Sequence, residues 1–392
     1  MCDPDRAQKV IRKSKKPKVP KHLLDGIDPR DKLCIKASKN RYELHEVLGQ
    51  GGFGVVYKVS QMETKEFYAL KTENGSDSSR KHSRLKIEMT VLRTVNESKD
   101  PVRKRHFAKI VDRGRTTDFK FIVMELVGQS LAALQKAKKN GSPLTAAYLS
   151  YQTVEAIDGL HYFGYIHRDI KPQNFSINYG ETPRNVYILD FGISRPYVDQ
   201  KTRVLTIPRK NVKFMGSPNY ASITGLCQRE QSRRDDYESW FYMSVEFLNP
   251  ELFTWLQVES LPKLIEAKID FMTKDNLGPA VPKQYMLIRN YITMLKYENA
   301  VDVDYIKLLL LKSQKINSIM ECIMFIKNGQ LGVVKCSSRK SAEEAEDSKA
   351  ASYTMMTSLT NESTQEITKT EGDPAETATP GTTKTTTEEP PF

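Results

Sequence analysis

Apolar and polar side chains alternate from Tyr42 to Val59, with Tyr42, Leu44 and Val47 leading into a glycine cluster and Val55, Tyr57 and Val59 leading out of it. A period of two marks a strand with one buried face, so this stretch predicts two strands joined by a glycine turn. Glu66 to Glu73 (EFYALKTE) predicts another strand, and Lys120 to Gly128 (KFIVMELVG) a further one. Between them Leu85, Met89 and Leu92 recur at helical spacing, which predicts a helix from Ser83 to Val95. Beyond Gly128 the pattern becomes helical over 144–163, 235–248, 261–274, 283–298 and 302–325, with short strands near 175–178 and 186–189. The class is α+β: a small β-rich lobe with one main helix (about 42–127), then a larger helical lobe (about 128–336). No repeat of 20–50 residues is present, which removes solenoid and propeller architectures.

The flanks differ from this middle. Residues 1–41 hold 13 Lys or Arg against 5 Asp, with Pro17 and Pro20 interrupting a lysine-rich run, and are expected to be a flexible basic arm. Its RKSKKPK core, Arg12 to Lys18, suits nuclear import, contact with an acidic surface, or plain solvation. From Ser337 to Phe392, 20 of 56 residues are Ser or Thr and acidic residues outnumber basic ones 11 to 5, a composition that cannot offset chain entropy by burial. That tail is expected to be disordered, as a phosphorylatable or autoinhibitory segment or as a spacer.

Composition narrows the class. With 39% hydrophobic residues in 392, the chain can bury a substantial core, so it is not disordered as a whole. The formal charge of +12 suits nucleic acid, an anionic surface, or an acidic or phosphorylated protein, and does not choose among them. Cysteines at 2, 34, 227, 322 and 336 form no CxxC pair, which argues against zinc. No apolar run is long enough to span a membrane, and Met1 to Pro20 lacks the apolar segment of a secretory signal, so an intracellular setting, cytoplasmic with nuclear entry as an option, is expected. No basic platform interleaved with aromatics points to specific nucleic-acid binding.

Candidate chemistry begins at the glycine turn. Gly49-Gln50-Gly51-Gly52-Phe53-Gly54 is GxGxxG, in which missing Cβ atoms let backbone N–H groups approach a polyphosphate. A dinucleotide fold would open a helix here, yet Val55-Val56-Tyr57-Lys58-Val59 continues as a strand. Lys71, 17 residues beyond Gly54, shares a strand face with Ala69 and can reach phosphates, while Glu88 on the intervening helix can hold Lys71 in an ion pair. Taken singly, each is an ordinary glycine hairpin, strand lysine or helix carboxylate.

His167-Arg168-Asp169-Ile170-Lys171-Pro172-Gln173-Asn174 followed 16 residues later by Asp190-Phe191-Gly192 is far more specific. Phosphoryl transfer needs a carboxylate near the attacking hydroxyl, a cation on the γ-phosphate and oxygen ligands for Mg²⁺. Asp169, Lys171, Asn174 and Asp190 supply that list, Asn174 and Asp190 being the expected metal ligands. His167 and Phe191 are expected to pack, and Cys227 to be a small buried hydrophobe.

Together these motifs resemble the eukaryotic protein kinase family, from Tyr42 to about Phe325. Gly216-Ser217-Pro218-Asn219-Tyr220-Ala221-Ser222-Ile223 and the stretch Glu230 to Trp240 (EQSRRDDYESW) are similar to signatures of the casein kinase 1 group, including its tau-tubulin kinase branch. The resemblance implies a two-lobed fold, ATP and Mg²⁺ as cofactors, and transfer to protein Ser and Thr; a monomer is the expectation. It further implies that Met124 guards the back of the adenine pocket, that the backbone of Glu125 to Val127 meets adenine, and that Asp236 braces the catalytic loop. Leu48 and Val56 would sandwich the base from above, with Ala69 beside them and Ile188 or Leu189 near the floor, and Val55 is counted among the nucleotide-binding residues of the turn. Asn219 and Ser217-Pro218 depart from the group, which carries an anion-binding Arg where Asn219 stands; Arg203, Arg209, Lys210 and Lys213 are alternative cations nearby. Phe241 stands where many kinases carry glycine, a change that is not expected to disturb catalysis. Two other functions share much of this sequence: a non-catalytic scaffold of the same fold that binds acidic proteins, and a small-molecule phosphotransferase.

Overall fold

The computed structural model describes residues 33–335, apart from 52–53, 75–82, 138–141, 180–184, 259, 320–321 and 328–329. Most of the expected arm, and all of the tail expected over 337–392, lie outside the described residues.

The small lobe is a six-stranded antiparallel sheet built from β1 (Cys34–Lys36), β2 (Arg41–Gly51), β3 (Gly54–Gln61), β4 (Phe67–Asn74), β5 (Ile110–Arg115) and β6 (Phe119–Glu125), in the order β1-β2-β3-β4-β6-β5. Its core takes Tyr42, Leu44, Val55, Tyr57 and Val59 of the period-two set read from the sequence, with Val47 packed partly buried against it, and is completed by Leu70, Phe119, Phe121 and Val123. Strand β1 lies in the segment expected to be a flexible arm. Ile35 and Ala37 are buried in this core, and Asp112 accepts the backbone N–H groups of Lys39 (3.1 Å) and Asn40 (3.0 Å). Ile35 is the one buried residue within this three-residue strand, too short a run to carry a period.

Helix α1 (Arg84–Asn96) starts where Ser83 accepts the N–H of Lys86 at 3.1 Å, and the Glu73 carboxylate takes the N–H of Arg84 at 2.8 Å. Both satisfy donors that a helix start leaves open, a capping contribution of about 1 kcal/mol. Leu85, Met89, Leu92 and Val95 form the buried stripe, and Glu88 is the one carboxylate on it.

In the large lobe, α2 (Pro101–Lys104), β7 (Val127–Ser130), α3 (Leu131–Ala137), α4 (Pro143–Tyr162), β8 (Tyr165–Ile166), β9 (Phe175–Asn178), β10 (Val186–Ile188) and β11 (Arg195–Pro196) precede α5 (Ile223–Leu226) and α6 (Arg233–Glu246). Then come α7 (Leu261–Thr273), α8 (Lys283–Met294), α9 (Val303–Ser313), β12 (Cys322–Lys327) and β13 (Gln330–Lys335). The core is centred on α4 and α6, both buried over most of their length, with Trp240 donating to Thr153 Oγ1 at 3.0 Å between them. Val91, Leu92 and Val95 of α1 belong to this core, so α1 connects the two lobes.

The helix expected over 302–325 is shorter. It ends at Ser313, Lys315 takes a left-handed φ of 52°, and Cys322–Lys327 pairs with Gln330–Lys335 as a hairpin. Cys322, Met324 and Val333 are buried in the main core, so tertiary packing overrides an apolar spacing that also suits a helix. Cys227 is half-buried and not the fully buried hydrophobe expected.

Candidate functional site

The glycine turn joins β2 to β3 with Gly49 opposite Val56, Gln50 opposite Val55 and Gly51 opposite Gly54. Gly52 and Phe53 lie outside the described residues. A Cβ on Gly49 or Gly51 would meet open space, so the turn leaves room at its backbone. Gly54 is glycine for another reason: its Cβ would sit 1.8 Å from the Thr72 carbonyl oxygen. Thr72 Oγ1 accepts the Val55 N–H at 3.0 Å, tying the turn to β4.

Lys71 on β4 lies opposite Val56 and Ile122, and Ala69 opposite Met124. Ala69 and Met124 are both buried, Val56 is half-buried, and Leu48 is exposed. Glu125 donates its N–H to the Lys109 carbonyl at 2.9 Å and accepts from Tyr187 Oη at 3.1 Å, while Val127 pairs with Asn178. Ile188 is fully buried and Leu189 half-buried.

The Lys71 ammonium reaches Glu88 Oε2 at 2.6 Å and Asp190 Oδ1 at 3.0 Å. Burial alone would lower the Lys71 pKa, but the two carboxylates reverse the effect and raise it. Burial also works against ionised Asp190, and Lys71 outweighs it, bringing the Asp190 pKa to about 2. For Glu88, burial with Asp190 nearby pushes the pKa up while Lys71 opposes the rise. Asp190 adopts a φ of 63°, a conformation strained for any side chain with a Cβ.

Asp169 receives Lys171 Nζ on Oδ2 at 2.7 Å and Asn174 Nδ2 on the same oxygen at 3.3 Å, with a second Asn174 contact to its carbonyl at 2.8 Å. Its other oxygen, Oδ1, is buried with no hydrogen-bond partner. A buried, unpartnered carboxylate oxygen is expensive, and such an atom at a loop end calls for a donor from outside the chain. Lys171 also donates to Ser217 Oγ at 2.8 Å.

The loop carrying these groups is held from beneath. Asp236 accepts the N–H of His167 at 2.7 Å on Oδ2 and that of Arg168 at 2.9 Å on Oδ1, and His161 Nε2 lies 2.8 Å from Oδ2. Burial would raise the Asp236 pKa, but the hydrogen bond and charge of His161 lower it on balance. His167 is buried, with Nε2 3.0 Å from the Leu189 carbonyl oxygen, and its ring meets Phe191 edge-on at 5.5 Å. Phe191 stacks on Phe107 at 5.8 Å. Gly216, at φ +111°, comes so close that a Cβ would lie 2.6 Å from the Arg168 carbonyl oxygen.

The structure therefore brings Lys71, Glu88 and Asp190 into one contact set and Asp169, Lys171 and Asn174 into another. His161 and Phe107 take part without having been singled out from sequence, and Gly216 and Ser217, noted there only as part of a signature, touch the loop directly; each acts through a fold-dependent contact that no local spacing announces. Arg209, considered as a free anion-binding cation, is instead paired with Glu230 at 2.5 Å, and Arg203 donates to the Tyr162 carbonyl at 2.6 Å.

The donor set suits Mg²⁺ and a nucleotide polyphosphate. Among the described residues no three His, Cys, Asp or Glu side chains converge into a metal cage. One carboxylate, Asp190, and one amide oxygen, from Asn174 whose nitrogen is committed to Asp169, match an ion that takes few protein ligands and completes its shell with phosphate and water. Lys71 and the open backbone at Gly49 and Gly51 complete the anion-binding character.

A family model described as protein kinase domain matches residues 42–299. The Caenorhabditis elegans protein ZK507.1, named by inference as a serine/threonine-protein kinase, is 36% identical over 236 residues, 60% of this chain and 70% of its own. The serine/threonine-protein kinase spe-6 of the same organism is 31% identical over 270 residues, covering 67% of this chain and 69% of its own. No described helix is long and apolar enough to cross a membrane. With a family model spanning well over half of its length, and with Lys71, Glu88 and Asp190 in mutual contact where the lobes meet, the chain belongs to the protein kinase family.

Proposed function

We propose that this chain is an active serine/threonine protein kinase that uses ATP and Mg²⁺ to phosphorylate Ser and Thr hydroxyls of proteins. The observation that carries the reading is the Lys71 ammonium held at once by Glu88 (2.6 Å) and Asp190 (3.0 Å), the assembled form of the site. Bound Mg²⁺ would neutralise charge on the phosphates and polarise them. Lys71 holds the nucleotide's phosphates, and Glu88 keeps that ammonium aimed. Asp169 accepts the hydroxyl proton through its unpartnered Oδ1 and orients the nucleophile, while Lys171 places positive charge beside it. Asn174 and Asp190 offer oxygens to the metal. Leu48, Gly49, Gln50, Gly51, Gly52, Phe53, Gly54, Val55, Val56, Ala69, Met124, Glu125 and Val127 are assigned to the nucleotide side.

We further assign the chain to the casein kinase 1 group, on the residues 216–223 and 230–240. Their contacts support a shared design: Glu238 Oε1 accepts the Ile223 N–H at 2.7 Å, and Asp235 accepts that of Ser232 at 2.7 Å. The catalytic domain is taken to run to 336, with β1 added to the expected start at 42, acting as a monomer in an intracellular compartment. Residues 1–32 and 337–392 are taken as its appendages.

The test is transfer from γ-labelled ATP to a degenerate Ser/Thr peptide library by the full chain. Transfer lost in Asp169→Asn, with the melting temperature kept, is the expected result. A wild-type chain that binds MgATP and never transfers would instead be a scaffold, and transfer to sugars or aminoglycosides but no peptide would make it a small-molecule phosphotransferase.

A further inference from the structure

Lys268 on α7 is fully buried, at 0% exposure. An ammonium so placed usually has a carboxylate partner, yet among the described residues its contacts are of another kind. Its Nζ donates to the Ala221 carbonyl at 2.7 Å and lies 4.1 Å from the centre of the Tyr242 ring and 5.5 Å from that of Trp255. Burial drives its pKa well down, with the charge of Glu238 opposing.

Trp255 is itself committed to the same turn, its Nε1–H donating to the Asn219 carbonyl at 3.0 Å. The cation and the indole it sits on thus hold two carbonyls of one short segment. That segment is a closed turn, since the N–H groups of Tyr220 (3.1 Å) and Ala221 (3.0 Å) both donate to the Ser217 carbonyl. At its other end Ser217 Oγ accepts from Lys171, the partner of Asp169. A rigid path therefore runs from Lys268 through the turn to the catalytic carboxylate. None of the contacts made by Lys268 is with Lys71, Glu88 or Asp190, so the path belongs to the acceptor side and not to the nucleotide side.

We propose that Lys268 is a positioning residue that holds the turn Ser217–Ala221 against the catalytic loop, and so sets where the hydroxyl of a protein acceptor meets Asp169. The proposal rests on the kinase function proposed above. Removing the ammonium leaves the buried Ala221 oxygen unpartnered and takes the cation from the Tyr242 and Trp255 rings, so the turn loses one anchor and the seat of the second is weakened.

The experiment compares the full-length wild type, Lys268→Met and Trp255→Phe, the last removing the indole N–H and part of the ring volume while keeping an aromatic ring. Steady-state kinetics use the best serine peptide from a degenerate library, with KM for ATP and the MgATP-induced melting shift measured in parallel. Both variants are expected to keep KM for ATP and the MgATP shift. Peptide kcat/KM should fall about tenfold or more in Lys268→Met, the scale on which small misplacements act, and less in Trp255→Phe. Wild-type peptide kcat/KM in Lys268→Met, or a rise in KM for ATP that matches the peptide loss, overturns the proposal. If Lys268→Met does not fold, Trp255→Phe decides by the same two criteria. A wild type that transfers phosphate to no peptide brings down the kinase function itself, and this inference with it.

Discussion

Lys71 and Asp190 sit 119 positions apart in the chain, yet Nζ of one lies 3.0 Å from Oδ1 of the other. That contact joins β4 of the small lobe to the loop after β10 of the large one, so the ion pair reports on how the lobes close. The ammonium is shared with Glu88 of α1, and α1 packs on both lobes; the charge network and the helix therefore hold the same closure.

Lys71→Met or Asp190→Asn is expected to reduce phosphate transfer by about a hundredfold or more, the scale for removing one preorganised charge from such a site. Melting temperature should fall modestly for Asp190→Asn, because the half-exposed side chain is still one of the two carboxylates that hold Lys71. Initial rates at saturating ATP, read beside a thermal melt, check both statements.

The same network fixes a pH expectation. Asp190 falls from an ordinary 3.8 to about 2, so its stabilising effect is present above 3.8 and is lost as pH drops through about 2. Lys71 is raised above 10.5, so its effect is complete below 10.5 and is lost only as pH climbs beyond that value. Neither group titrates between about pH 5 and pH 9, and the profile of kcat/KM for ATP should show no inflection from them there. An inflection in that range that disappears in Asp190→Asn would contradict the geometry.

Asp236→Ala removes one buried acceptor serving two backbone N–H groups and His161. Breaking a buried charged contact of this kind costs about 3 kcal/mol or more. Chemical denaturation should show that loss, together with loss of activity, because the loop carrying Asp169 loses its support.

Gly216→Ala places a Cβ 2.6 Å from the Arg168 carbonyl oxygen on backbone at φ +111°. The strain is on the order of 1–3 kcal/mol, and relief requires the turn to move off the catalytic loop. Peptide kcat/KM should drop more than ATP binding does, measured by kinetics and by titration of MgATP.

Asn219→Arg tests the proposed casein kinase 1 assignment, by introducing the cation expected at that position of the group. A library screen of the wild type should show no strong demand for an acidic or phosphorylated neighbour, and the variant should shift toward one. An acid-directed wild type would mean that Lys210 or Lys213, both exposed on the preceding segment, already does this work.

The residues proposed for catalysis could be nominated from sequence because they are crowded into short runs, and the structure brings Asp169, Lys171 and Asn174 into contact within one loop. The glycine turn and Lys71 were legible from strand period and spacing. Partners supplied by distant segments were not. His161 touches Asp236 across 75 positions and Lys268 touches Ala221 across 47, and neither distance leaves a periodic trace. The hairpin after α9 was missed for a related reason. Ile316, Ile319, Ile323 and Met324 suit a helix locally, no Gly or Pro marks the break at Lys315, and the decision is made by the seat that Cys322 and Met324 find in the core.

That hairpin bears on how the protein is to be produced. The matched family region stops at residue 299, before α9 and the hairpin, whose Leu309, Leu310, Ile316, Met324 and Val333 are all buried. A fragment trimmed to Asn299 would present the greasy surface these residues cover to solvent and should be recovered mainly as aggregate. Fragments spanning Leu33 to Lys335 keep that surface sealed, and also retain the short first strand that trimming at Tyr42 would discard.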